Sequence, residues 1–182
     1  GNYTLPALAI GKYRILVETE YLIFLTKETD ICPKPVNAQE SKIRSILQEF
    51  TPQKAVKIKA IENKINHDVK AVEYFIRDRL RGTSLEDSLE WIHFALTSED
   101  VNNLAYGLML SDGVGDVILP SAQELYETIE GLAQKYKNIP MLARTHGQPA
   151  SPTTFGKEFK VFASRLRRQI EQLKNLEILV KL

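Results

Sequence analysis

SPTTFGKEFKVFASRLRRQIEQL, residues 151–173, is the stretch whose reading decides the fold. Phe155, Phe159, Phe162, Leu166, Ile170 and Leu173 recur at the three- and four-residue spacing of one helix face, with charged side chains between them. Ser151 suits the N-cap and Pro152 the first helical position, so a helix is predicted from about Pro152 onwards. Its periodicity persists from Leu176 to Leu182 without a stop signal, which reads as a long helix cut at Leu182. Gly1 has no methionine before it, so the natural start is expected to lie elsewhere.

Immediately upstream, residues 141–150 hold Arg144, Thr145, His146, Gly147 and Gln148 between Pro140 and Pro149. The prolines and glycine predict a donor-rich loop rather than a helix. His146 then falls beside a helix N-terminus, where free N–H groups and partial positive charge suit an anion. Alone, such a histidine reads as a turn residue bonding its own loop.

The rest of the chain is helical by the same test. Residues 13–27 form a helix with Ile15, Leu16, Tyr21, Leu22 and Leu25 inside and Glu18 and Glu20 on the wetter side. Pro33 and Pro35 break the pattern; a helix through Ile43, Ile46, Leu47 and Phe50 follows, and Pro52 opens another. Asn66 and Asp68 are good caps for a stripe of Val69, Val72, Phe75, Ile76 and Leu80, which puts His67 at a helix entrance. Leu85 to Leu96 reads as a helix in which His93, beside Trp91, Ile92 and Phe94, is foremost a satisfied core histidine. Thr97-Ser98-Glu99-Asp100 matches a capping box ahead of Val101, Leu104, Ala105 and Leu108. Ser111 to Gly115 reads as a break before a helix through Leu119, Leu125, Ile129, Leu132 and Tyr136. With no convincing strand alternation, the fold is predicted all-α: an N-terminal helical domain over residues 1–96, then the first part of a long central bundle over residues 97–182, whose missing helices come from elsewhere.

At 182 residues and 43% hydrophobic content the chain can bury a core, and a net charge of +1 supplies no field for nucleic acid or a membrane surface. The single cysteine, Cys32, excludes an intrachain disulfide and fits a reducing cytoplasm. The longest apolar run is far too short to span a bilayer. Neither metal-ligand spacing nor a phosphate-binding glycine loop is present, so no metal or other cofactor is expected. If the entrances at Asn66, Thr97 and Pro152 converge, they make a pocket for a small polyanion, with Arg144 and Lys157 nearby.

Asn66 to Phe75, His93-Phe94-Ala95 with Thr97 to Asp100, and Arg144 to Ala150 resemble adenylosuccinate lyase, of the fumarase/aspartase superfamily, in order and spacing over nearly the whole chain. The resemblance implies elimination of fumarate from adenylosuccinate to give AMP, and from SAICAR to give AICAR. It implies His146 as the general acid, Thr97 and Ser98 holding the succinyl group, and Asn66, His67 and Asp68 binding substrate, with His93 behind them. It also implies a homotetramer whose active sites are shared between subunits. The family's catalytic serine, on a mobile loop near a Met-Pro-x-Lys-x-Asn segment, and its Asp-Gly-Arg-Tyr phosphate contact have no counterpart in these residues. The alternatives are a sister lyase acting on argininosuccinate and a non-catalytic helical oligomerisation module.

Overall fold

The computed structural model describes residues 6–32 and 37–181, so the break expected at Pro33 and Pro35, like Gly1 and the start expected beyond it, lies outside the described residues. The helices are α1 (Pro6–Glu28), α2 (Asn37–Gln48), α3 (Pro52–Ile65), α4 (Asp68–Leu80), α5 (Ser98–Gly113), α6 (Leu119–Lys135) and α7 (Phe155–Lys174). One antiparallel hairpin, β1 (Pro140–Thr145) and β2 (Gln148–Thr154), separates α6 from α7. The chain divides into two compact units, one holding the described residues up to Met109 together with Leu179 onwards, the other Leu110–Ile178.

In the first unit the apolar faces of α1, α2 and α4 enclose Ile15, Leu22, Ile43, Ile46, Val72, Phe75, Ile76 and Leu80. Thr51 caps α3 by accepting the Lys54 N–H at 3.4 Å, and Pro52 occupies the first turn, where its missing N–H costs nothing. A smaller cluster of Val17, Val69 and Val101, backed by Leu96 and Leu104, joins α1 to the first turns of α4 and α5. That cluster brings two helix entrances together.

Two expectations about helix extent and burial fail in this unit. Leu85 to Leu96 is not one helix: a 3-10 segment covers Glu86–Trp91, and His93 and Ala95 then adopt left-handed backbone, φ 65° and 58°. Such dihedrals end any right-handed helix. Glu18 does not face water; it is fully buried, because its spacing from Ile15, Leu22 and Leu25 puts it on the core side of α1.

In the second unit the break expected over Ser111 to Gly115 is absent. A π-helical turn, Val114–Ile118, carries helical backbone from Gly113 (φ −61°, ψ −40°) into Leu119 (φ −62°, ψ −48°). The glycines permit the wider winding without interrupting the helix. The predominantly helical architecture stands, while the loop expected at residues 141–150 is a hairpin. Its strands pair Pro140 with Thr154 and Thr145 with Gln148, with a bulge between Leu142 and Arg144. Pro149 and Pro152 fit because a two-stranded ribbon is all edge.

Ser151 and Pro152 therefore belong to β2, and Thr154 caps α7 by accepting the Lys157 N–H at 3.2 Å. That helix also ends earlier than its periodicity predicts: it closes at Lys174, with the Asn175 amide bonded to the Glu171 carbonyl at 2.7 Å. The same carbonyl also accepts the Asn175 backbone N–H at 3.3 Å, so one asparagine closes the last turn twice. At the hairpin base Phe155 N–H reaches the Ile139 carbonyl and Gly156 N–H the Tyr136 carbonyl, at 2.8 and 3.0 Å. Tyr136, Phe155 and Phe159 pack around them in tilted and edge-on contacts, and a Cβ on Gly156 would strike the Ala133 carbonyl and the Lys137 backbone.

Candidate active site

Asn66 closes α3 and introduces α4. Its N–H makes the last helical bond, to the Glu62 carbonyl at 2.7 Å, and its left-handed backbone (φ 53°), a conformation that asparagine tolerates better than most residues, then turns the chain out of the helix. The chain reverses there, and His67 becomes the N-cap of α4, its Nδ1 accepting the Lys70 N–H at 3.2 Å. A neutral ring that accepts at Nδ1 carries its proton on Nε2. The expected caps Asn66 and Asp68 thus flank the actual one.

Asp68 is clamped on both oxygens. Oδ1 accepts the Val69 N–H at 2.9 Å, and Oδ2 accepts the Arg14 guanidinium at 2.5 Å. Burial works against its ionisation, but the Val69 N–H and Arg14 outweigh it and hold the carboxyl below its usual range.

Thr97 and Asp100 form the capping box of α5. The Asp100 carboxylate accepts the Thr97 N–H at 2.7 Å and its hydroxyl at 2.8 Å, while Thr97 Oγ1 accepts the Asp100 N–H at 3.3 Å. The Thr97 N–H and hydroxyl hold the Asp100 carboxyl below its usual range. Ser98, one residue on, places Oγ 3.4 Å from His67 Nε2. Asn66, His67, Asp68, Thr97 and Ser98 therefore gather at two adjoining helix N-termini, whose partial positive charge favours an anion.

Behind them His93 meets the buried Glu18, Nδ1 to Oε1 at 2.6 Å. This bond lifts the His93 pKa above its ordinary value, against desolvation. The core reading of His93 holds, with a buried carboxylate as its partner. Arg14, Glu18 and Asn102 are the contributors that sequence reasoning missed. For Glu18 a signal existed in its spacing from Ile15 and Leu22; for Arg14 and Asn102 nothing local announces the contact.

His146 belongs to the second unit. It and Gly147 form the two-residue turn of the hairpin, both with positive φ, 50° and 76°, as a type I′ turn requires. The side chain is exposed at the tip. The expectation that it lies beside a helix N-terminus is corrected: the length of β2, about 20 Å at strand rise, separates it from the start of α7. The third entrance is thus capped by Thr154, not Ser151, and Lys157 there pairs with Glu158 at 3.0 Å. Among the described residues no group of three or more His, Cys, Asp or Glu side chains could hold a metal ion, and no helix is long and apolar enough to cross a membrane.

The fold is shared with solved structures. A fumarate lyase from Mesorhizobium sp. BNC1 superposes with a TM-score of 0.75 at 19% identity, over 91% of this chain and 36% of that one. The β-carboxy-cis,cis-muconate cycloisomerase of Acinetobacter calcoaceticus sp. ADP1 gives 0.68 at 20% identity, over 92% and 38%. These likenesses show the fold. A family profile described as Lyase matches residues 16–182, and the chain belongs to that lyase family.

Curated relatives narrow the comparison. The chain is 47% identical to the adenylosuccinate lyase of Haemophilus influenzae over 94% of its length, 48% to that of Dictyostelium discoideum over 91%, and 44% to that of Escherichia coli K12 over 94%. It spans 37–38% of the length of these relatives.

Proposed function

We propose that the chain works as part of an adenylosuccinate lyase, releasing fumarate from adenylosuccinate to leave AMP and from SAICAR to leave AICAR. The observation that carries this reading is identity of 44–48% to enzymes of that name, across a stretch that includes both helix entrances and the His146 hairpin. The relatives named here are all adenylosuccinate lyases, so neither an argininosuccinate lyase nor a non-catalytic module is favoured.

The chemistry follows from the residues. A base takes a proton from the succinyl carbon next to a carboxylate, and negative charge spreads into that carboxylate. The pair of electrons then forms the new double bond as the carbon–nitrogen bond breaks. Ser98, the N–H groups of α5 and Thr97, once its hydroxyl turns from Asp100 to the substrate, stabilise the charged carboxylate where charge grows, each well-placed donor contributing on the order of 3 kcal/mol. Asn66, His67 and Asp68 bind the substrate at the neighbouring entrance. His146 donates the proton to the departing nitrogen, a task that suits imidazole because it loses and regains a proton near neutral pH.

The base in this reading is the family's serine, which these residues do not include, so the chain by itself is not expected to turn over. Residues 1–96 act as the N-terminal domain and residues 97–182 as the start of the bundle. Exposed Leu110, Val117, Ile118, Leu125 and Phe162 supply apolar faces for partner helices in a homotetramer with shared sites. The enzyme works in the cytoplasm on small-molecule substrates, with neither nucleic acid nor membrane as partner. Offering the full-length protein adenylosuccinate and argininosuccinate side by side tests the assignment: fumarate from the first alone is expected, and fumarate from the second alone would overturn it.

A further inference from the structure

We propose that Arg14 is a positioning residue that sets the distance between His67 and Ser98, an inference that rests on the lyase reading of this site. Arg14 lies on α1, outside both helix entrances, and is only 8% exposed. Its Nε donates to Asn102 Oδ1 at 2.8 Å and its Nη2 to Asp68 Oδ2 at 2.5 Å. One guanidinium therefore grips both entrance helices.

Each grip is close to the residue that it controls. Asp68 follows His67 directly, and its other oxygen is fixed by the Val69 N–H, so the carboxylate cannot turn without disturbing the first turn of α4. Asn102 is four residues beyond Ser98, on the same face of α5 and one turn deeper. The bridge from Asp68 through Arg14 to Asn102 thus runs alongside the 3.4 Å approach of His67 to Ser98.

The alternative fastening is apolar. Val17, Val69 and Val101 hold α1, α4 and α5 together, but burial is non-directional and tolerates small shifts between helices. A planar guanidinium projects its N–H groups at fixed angles, so it sets position where the valines supply only adhesion. Burying that charge costs desolvation, which an apolar residue at position 14 would avoid. What the arginine adds is geometry at the two entrances.

The test uses the full-length protein with Arg14→Lys, Ser98→Ala and the double variant. Carbethoxylation of each histidine by diethyl pyrocarbonate, followed by peptide mass spectrometry, reports how readily the His67 ring leaves its two contacts, since the reagent needs a nitrogen lone pair and the one on Nδ1 is held by the Lys70 N–H while the ring stays against Ser98. Because contacting residues couple, Arg14→Lys is expected to speed modification of His67 about three-fold or more and to lower kcat/KM for fumarate release about ten-fold, with less than about two-fold further loss in the Ser98→Ala background. His93 and His146 should react as in the parent.

An unchanged His67 rate overturns the proposal. So does an equal loss of kcat/KM in both backgrounds, and so does faster reaction of all three histidines, which would mark general loosening. Should Arg14→Lys fail to fold, Asn102→Leu severs the other arm and must accelerate His67 in the same way. A parent that releases no fumarate would sink the lyase reading, and the His67 rate alone would then decide the role of Arg14.

Discussion

His67 Nε2 lies 3.4 Å from Ser98 Oγ, while Nδ1 of the same ring accepts the Lys70 N–H at 3.2 Å. One imidazole thereby caps α4 and touches the entrance of α5. The two roles separate by mutation.

Replacing His67 with Asn keeps a side chain that caps well and removes the reach to Ser98. Stability should stay within about 0.5 kcal/mol of the parent, since asparagine is among the best N-caps. The KM for adenylosuccinate in the full-length protein should rise roughly ten-fold, as expected when uniform substrate binding is lost. Thermal denaturation and steady-state kinetics on one preparation check both halves, and an unchanged KM would remove His67 from the binding surface.

The Glu18–His93 pair makes stability depend on pH. Its hydrogen bond raises the folded pKa of His93 above the ordinary value, so the contribution is complete below the unfolded pKa and fades as pH rises through the raised one. Glu18→Gln should therefore cost most at mildly acid pH, about 3 kcal/mol for a severed buried pair, and progressively less on the alkaline side. Denaturant midpoints of parent and variant measured from pH 5.5 to about pH 9 would show the gap closing; a gap that widened with pH would contradict the pairing.

Gly156 meets the end of α6 so closely that a Cβ has no room against the Ala133 carbonyl and the Lys137 backbone. Backbone cannot step aside as a flexible side chain can. Gly156→Ala should destabilise the second unit by about 1–3 kcal/mol, the usual range for overpacking. Hydrogen exchange read at α6 and α7 would reveal it, and unaltered protection there would count against the close approach.

Gly147 is different. Nothing lies within 4 Å of its missing Cβ, yet its φ is 76°. Gly147→Ala is then a conformational change without a clash, costing about 1–2 kcal/mol through the left-handed backbone alone. It should slow turnover by loosening His146 at the turn, and normal kinetics in a folded variant would detach the turn geometry from catalysis.

Local patterns announced much of this architecture because apolar periodicity reports helix faces directly. The stripe from Val69 to Leu80 and the Thr97–Asp100 box appear as read. The hairpin was hidden because Pro149 and Pro152 are poor strand residues and only a two-stranded ribbon tolerates them. His146-Gly147 between extended segments was the available signal, since it mimics the Asn-Gly of a type I′ turn. Glycines at 113 and 115 suggested a break, but glycine permits helical dihedrals as well as others. The partners of the site's supports were beyond reach for another reason: Arg14 finds Asn102 88 residues away and Glu18, whose burial its spacing did signal, finds His93 75 residues away. Such contacts exist only once the core has assembled.

Fumarate release from adenylosuccinate by the full-length protein, measured beside its His146→Asn variant, tests the central claim most directly. Asparagine favours the left-handed turn position, so the hairpin should survive while the proton donor is lost. The account predicts release by the parent and a fall of about 10²–10⁴-fold in the variant, the usual contribution of a positioned general acid. A parent that releases no fumarate, or a variant that turns over as fast as the parent, would contradict it.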